Sequence, residues 1–140
     1  MNLDVLTGLN WFAVAIATLA YYLFGAVWFA QRTLGGLWNR AGGDPIAAGR
    51  FSPLALYIVP LVTCLVTSVA VAALAAGTGS NSVGEGLVLG LVTSSGVAAV
   101  LFVTGFFDRH KPAPGTWFAI TAGYHVVGIV IAAVIVSLWN

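Results

Sequence analysis

The chain has 140 residues, of which 60% are hydrophobic and 6% are charged, and its mean hydropathy is +1.01. Soluble domains carry about 25% charged residues, so this composition excludes an ordinary soluble domain and indicates that lipid covers most of the surface. The net charge of +1 gives no reason to expect nucleic-acid binding. The single cysteine, Cys64, excludes an intramolecular disulfide, and the two histidines lie too far apart for a zinc-ligand spacing.

Four apolar stretches are long enough to cross a membrane as helices, because about 20 residues at ~1.5 Å each span ~30 Å of hydrocarbon. Asn10 can cap the first stretch, and Ser52-Pro53 is typical of an N-cap followed by a first-turn proline. Ser82-Val-Gly-Glu85 has the spacing of a capping box. We therefore predict an all-α polytopic membrane protein with four transmembrane helices in a bundle. It forms a single domain over residues 1–140, with spans at about 9–31, 54–76, 83–107 and 116–138 and a long loop at 32–53.

The placement of the basic residues predicts the orientation. Arg32, Arg40 and Arg50 lie in the first connection, and Arg109 and Lys111 lie in the third. In a four-span chain these two connections share one side of the membrane, and the side rich in Lys and Arg is cytoplasmic by the positive-inside rule. The sequence therefore predicts a cytoplasmic 32–53 loop and two extracytoplasmic termini.

Aromatic and basic residues also predict contacts with the membrane surface. In "RTLGGLWNR", Leu34, Leu37 and Trp38 fall at the i, i+3, i+4 spacing of a short amphipathic turn lying on the inner leaflet. A lipid-specific site is the alternative to simple anchoring. The predicted inner-leaflet anchors are Arg32, Trp38, Arg40 and Arg50. Indole rings favour the interface near span ends, where the sequence has Trp11, Trp28, Trp117 and Trp139.

Small residues recur at four-residue intervals in the third span, and such spacing lets membrane helices approach closely. This predicted helix-packing stripe packs against another helix of the same chain or, alternatively, forms a subunit interface. It consists of Gly86, Gly90, Ser94 and Ala98.

Polar side chains of all four spans fall at similar depths when residues are counted inward from each span's start. We predict that they form a polar layer near the bilayer midplane. Its candidate members are Tyr21, Tyr22, Thr63, Thr67, Ser68, Thr93, Ser94, Ser95, Tyr124 and His125.

His125 is the ionisable member of that layer, and it shares one helix face with Thr121, Gly128 and Ala132. We expect a neutral imidazole that donates one hydrogen bond and accepts another. Two interpretations stay open: a structural histidine that bonds between helices, or a functional one that relays protons, contacts a ligand or forms a gate. The candidate bonding partners are Tyr21, Thr63, Ser94 and Ser95.

The segment "NWFAVAIATLAYYLFGAVWFAQRTLGGLWNRAGG" resembles the opening of a bacterial integral membrane family, DUF1761, a domain of unknown function. The likeness rests on Asn10-Trp11, on Gly25-x-x-Trp28-Phe29, and on Gly36 and Trp38 followed by Gly42; "GYHVVGIVIAAVI" is similar to the closing helix. Family members usually carry a lysine in the first loop where this chain has the leucine of "GGLW". The resemblance implies a small four-helix protein of the bacterial cytoplasmic (inner) membrane and implies no activity.

Two functions fit these observations. The first is an oligomeric channel or carrier for a small ion or solute, which would use the polar layer as its path. The alternative is a non-transporting structural or accessory membrane protein that associates with a partner or with lipid. The sequence has no clustered acids, metal-ligand set or activated nucleophile, so we expect no enzyme, no catalytic residue, no cofactor and no metal. The expected partners are the lipid bilayer, further copies of the chain in a homo-oligomer and, under the alternative, a membrane protein partner, but no nucleic acid.

Overall fold

Five α-helices follow a short 3₁₀ helix at Leu3–Leu6 in the computed structural model, which describes residues 3–42 and 52–140. Four of the helices are long and apolar enough to cross a membrane, so the chain is an all-α, multi-pass membrane protein, as predicted. Arg50, a predicted inner-leaflet anchor, lies outside the described residues. The helices are α1 (Trp11–Trp28), α2 (Gly35–Gly42), α3 (Ala55–Thr78), α4 (Val83–Phe107) and α5 (Pro114–Leu138).

The helix starts follow the local signals in the sequence. Asn10 Oδ1 accepts a hydrogen bond from the Ala13 N–H at 3.2 Å and caps α1. Ser82 Oγ accepts from the Glu85 N–H at 3.3 Å and donates to Glu85 Oε2 at 3.0 Å, so the predicted capping box of α4 is present. The helix α3 begins at Ala55 and not directly after Ser52-Pro53, although Ser52 Oγ still accepts from the Ala55 N–H at 3.3 Å. These side chains satisfy amide groups that the first helical turn leaves without a partner.

The turn from α3 to α4 depends on Gly79, whose φ of 69° is left-handed and favours a residue without a Cβ. Beyond it, Ser80 Oγ and Ser137 Oγ hydrogen bond at 3.0 Å. The Asn140 amide donates to the Ser80 carbonyl at 3.1 Å, and the Asn10 amide donates to the Trp139 carbonyl at 3.1 Å. The start of α1 and the end of α5 therefore lie together at one end, which we call the capped end.

The other end is called the basic end, because Arg32, Arg40, Arg109 and Lys111 lie in or beside its connections. There the Ala113 N–H donates to the Ala41 carbonyl at 3.2 Å and joins α2 to the start of α5. The two ends alternate along the chain, so neighbouring long helices run antiparallel.

The helix α5 lies at the centre and contacts each of the other four described α-helices. Its closest neighbour is α4, which faces it with the small-residue stripe. A Cβ added to Gly86 would lie 2.8 Å from Val134 Cα, and one added to Gly90 would lie 2.7 Å from Val130 Cα. Further members of the stripe are Ser94, which is buried, and Ala98, which is half-buried. The buried part of the stripe thus packs within the chain, where glycine lets the two backbones touch.

Two tryptophans at the basic end, Trp28 and Trp38, direct their indole N–H groups into the protein. Trp28 Nε1 donates to the Ile120 carbonyl and Trp38 Nε1 donates to Thr121 Oγ1, both at 3.0 Å. The predicted anchor Trp38 therefore ties α2 to α5. An indole N–H that points into the protein needs an acceptor there, and α5 supplies both acceptors, the Ile120 carbonyl and Thr121 Oγ1.

Candidate binding cavity

Two tyrosines and two glycines join α1 to α5 in a reciprocal arrangement. Tyr21 of α1 packs over Gly128 of α5, and Tyr124 of α5 packs over Gly25 of α1. A Cβ on Gly25 would lie 2.7 Å from Tyr124 Cε2, and one on Gly128 would lie 2.9 Å from Tyr21 Cζ. Each tyrosine stands four residues before the glycine of its own helix, so the same spacing occurs on two antiparallel helices. The two rings meet with centroids 5.2 Å apart.

The hydrogen bond between Tyr21 Oη and His125 Nδ1, at 2.5 Å, lies at the middle of the long helices. Beside it, Tyr124 Oη and Cys64 Sγ are 3.4 Å apart, so α3 contacts α5 at the same depth along the helices. Tyr21, one of the predicted candidate partners of His125, is therefore its partner in the structure. Within residues 3–42 and 52–140 no protein group bonds the other ring nitrogen, Nε2.

A cavity of about 670 Å³ extends from this level toward the basic end, between α1, α2, α3 and α5. His125, Tyr124 and Cys64 line its inner part, while Trp38 and Asn39 of α2 line its outer part. None of the described residues that line it is Asp, Glu, Lys or Arg. The polar groups of these residues are hydroxyls, side-chain amides, an indole, an imidazole and a thiol.

The cavity exists because the first part of α3 makes few close contacts with its neighbours. All the buried residues of α3 lie at or after Cys64, whereas Tyr57, Val59 and Thr63 are exposed although they line the cavity. Pro60 lies within the exposed part, four residues before Cys64, and a proline removes one helical hydrogen bond and bends a helix. The cavity consequently opens sideways through the exposed surface of α3.

Beyond the cavity floor, toward the capped end, the helices are tightly packed. Ala17 of α1, Val71 of α3 and Ala132 of α5 each have 0% of their surface exposed. Ser68, one turn beyond Cys64, is also fully buried, and its Oγ has no hydrogen-bond partner within the described part of the chain. The cavity therefore ends near the middle of the long helices.

The predicted polar layer is only partly brought together. Tyr22, Thr63, Tyr124 and His125 line the cavity, and Tyr21 bonds to His125. Thr67 and Ser68 lie farther along α3, beyond the lining residues.

The α4 members of the layer do not join the cavity. Each donates its hydroxyl to a carbonyl of its own helix: Thr93 to Leu89, Ser94 to Leu91 and Ser95 to Val92. Helical Ser and Thr side chains make such bonds where no water or other partner satisfies them.

Several lining residues were not predicted to be functional, among them Phe29, Asn39 and Tyr57. The Tyr-x-x-x-Gly spacing shared by "YYLFG" and "YHVVG" is the sequence signal that could have placed Tyr21 opposite Tyr124. In the portions of the chain that the structure describes, no group of three or more His, Cys, Asp and Glu side chains could hold a metal ion. The arrangement is suited to binding an uncharged molecule.

Comparisons with known proteins identify the family of the chain. No curated protein and no solved structure matches the chain. One family model, described as "Protein of unknown function (DUF1761)", matches residues 12–137, which extend from α1 to α5 and include the whole cavity lining. The chain therefore belongs to the DUF1761 family of proteins of unknown function.

Proposed function

We propose that this protein is a carrier for a small uncharged solute, which it binds in the cavity between α1, α2, α3 and α5. The observation that carries the proposal is the one-sided shape of the cavity: about 670 Å³ of space that opens near the basic end and stops at the Tyr21–His125 pair. Ligand cavities commonly have about 300–1,000 Å³, so the volume suits a small molecule.

A carrier fits this shape better than a channel. A channel needs a continuous path, whereas Ala17, Val71 and Ala132 fill the space beyond the floor. A carrier closes one side while the other is open, and dry packing on one side of a midplane site is the expected feature of one such state. The hydroxyl of Ser68, which has no hydrogen-bond partner among the described residues, supplies a polar atom on the route toward the capped end.

The orientation follows from the charges at the basic end. The positive-inside rule places Arg32, Arg40, Arg109 and Lys111 in the cytoplasm, so the cavity faces the cytoplasmic side of a bacterial inner membrane and both termini lie outside. A homo-oligomer remains a prediction.

Thr63→Trp tests the carrier function, because Thr63 lines the open side of the cavity and an indole there would fill it. Ser95→Trp on α4 is the matched control: both residues are exposed and both donate their hydroxyls to their own helix. The purified protein is reconstituted in liposomes, and uptake of labelled glycerol, urea and nicotinamide is measured. We expect saturable uptake of at least one solute that Thr63→Trp abolishes and Ser95→Trp leaves intact.

Uptake that is equal for wild type, Thr63→Trp and empty liposomes would contradict the carrier function. The accessory function would then gain support if crosslinking in cells captured one dominant membrane protein partner. A cysteine added at either terminus and labelled from outside intact cells would support the proposed orientation.

A further inference from the structure

The cavity lining indicates what kind of solute it selects. We infer that its ligand is an uncharged, flat ring compound that carries a carbonyl group, and that His125 Nε2–H donates a hydrogen bond to that carbonyl. This inference names the substrate class of the proposed carrier and rests on that function only for the claim that the bound molecule is transported.

The described lining residues supply no counter-charge, and this favours an uncharged ligand. No carboxylate, ammonium or guanidinium group is found among the described lining residues, and the inner part of the cavity lies at the middle of the long helices. An ion at that depth without an opposite charge would lose its hydration. The free energy of that desolvation is far larger than the stabilisation that a few hydroxyl groups can provide.

The walls favour a flat ring. Tyr22, Phe29, Trp38, Tyr57 and Tyr124 all line the cavity. Two of these rings are held in place, since Phe29 and Tyr124 meet edge to face with centroids 5.0 Å apart. Fixed aromatic faces and edges stabilise a planar apolar ligand through stacked or edge-to-face contacts, and they give little to a flexible polar one.

The Tyr21–His125 bond determines the polar contact at the floor. A phenol is a stronger acid than a neutral imidazole, so the favoured arrangement has the Tyr21 hydroxyl donating to Nδ1. The imidazole proton then resides on Nε2, which has no partner in the described ranges. Because Tyr21 occupies Nδ1, the imidazole presents its Nε2–H as a hydrogen-bond donor. The complementary ligand group is an acceptor such as a carbonyl.

The ligand can come from water or from the membrane, and the cavity has a route for each. Gln31 and Asn39 line it near the basic end, where a water-dissolved molecule would enter. Val59, Pro60 and Thr63 line it while exposed on a membrane-crossing helix, where a lipid-dissolved molecule would enter. The chemistry at the floor is the same for both.

Binding of 9-fluorenone and of fluorene tests the inference, because the two flat molecules differ by one ring carbonyl. Binding to the full chain in lipid nanodiscs is measured with labelled compounds and corrected for partitioning into empty nanodiscs. We expect wild type to bind 9-fluorenone about fivefold to tenfold more tightly than fluorene, the usual effect of one neutral hydrogen bond. Labelled benzamide forms the water-dissolved arm, with toluene as its partner without a carbonyl and without any other hydrogen-bond acceptor.

Two variants identify the donor. His125→Phe should reduce the preference for the carbonyl compound to about onefold, and Tyr21→Phe should reduce it partly because the tautomer is no longer fixed. Ser95→Ala, on the far side of α4, should keep it. Tyr21→Phe removes one hydroxyl and retains the ring, so it remains informative if His125→Phe fails to fold.

Equal binding of the paired compounds by wild type in both arms, or a preference that survives His125→Phe, would overturn the inference. A preference seen in one arm supports it and identifies the source of the ligand. The carrier function fails separately: selective binding with no Thr63-dependent uptake would leave the ligand class standing and remove transport.

Discussion

Replacing Gly128 by alanine should destabilise the protein strongly, because the ring of Tyr21 occupies the space of the missing Cβ. The added carbon would lie 2.9 Å from Tyr21 Cζ and closer still to Cε2 and Cδ2. Carbon atoms prefer a separation of about 3.5–4.0 Å, so the ring would have to move by more than half an ångström. Tyr21 has 1% of its surface exposed, and the Tyr124 ring lies 5.2 Å away, so the ring has little room to move.

The expected cost has two parts. Overpacking a filled interior costs about 1–3 kcal/mol. Displacement of the ring also breaks the bond to His125, and hydrogen bonds between membrane helices average about 0.6 kcal/mol. We therefore expect Gly128→Ala to lower the free energy of unfolding by about 2–4 kcal/mol.

The assay is unfolding of the purified protein by SDS in mixed micelles, followed by circular dichroism. Gly96→Ala is the control, since a Cβ there meets nothing within 4 Å and alanine favours a helix by up to about 1 kcal/mol. In a Tyr21→Leu background, the cost of Gly128→Ala should fall below about 1 kcal/mol because the two side chains interact directly. Equal stability of Gly128→Ala and Gly96→Ala would refute the steric argument.

Three further predictions concern caps, the α2 contact and a loop charge. Ser82→Ala removes the side-chain cap of α4 and should lower the free energy of unfolding by about 0.5–2 kcal/mol in the same assay; an unchanged value would argue against the cap. Thr121→Val combined with Trp38→Phe in a double-mutant cycle should give a coupling of about 0.5–1.5 kcal/mol, and a coupling of zero would show that their hydrogen bond contributes nothing. Hydrogen bonds from the His110 backbone N–H and the neighbouring ammonium hold the pKa of Asp108 below its usual value, so its stabilising effect is present at neutral pH and is lost as the pH falls through that lowered pKa. Thermal melts from pH 7 to pH 3 should therefore show a smaller loss of stability for Asp108→Asn than for wild type, and identical profiles would count against it.

The helices and their caps could be predicted because they depend on neighbouring residues. Asn10 and Ser82 cap helices that begin within one or two residues of the predicted starts, and the apolar spans need no information about the rest of the chain. The predicted N-cap of α3 was wrong, since Leu54, which makes no side-chain cap hydrogen bond, and not Ser52 directly precedes the first helical residue.

The cavity could be predicted only in part. Counting residues gives the depth of a side chain along its helix, but it does not show which neighbouring helix or surface that side chain faces. Counting residues placed Ser95 at the level of His125, yet Ser95 is exposed on α4 and bonds to Val92. His125 could be placed on an inward face, but its pairing with Tyr21 depends on how α1 and α5 cross. The cavity itself results from the few close contacts of early α3, which no local pattern encodes.

The central position of α5 has a consequence for how the protein is made. Segments α1, α3 and α4 leave the ribosome and enter the bilayer before α5 exists, and each lacks its shared partner during that time. Until α5 is inserted, Gly86 and Gly90 face lipid and Tyr21 has no glycine surface to cover. Assembly is therefore a late step of biosynthesis, and quality-control proteases of the membrane should recognise chains whose synthesis stops before Pro114.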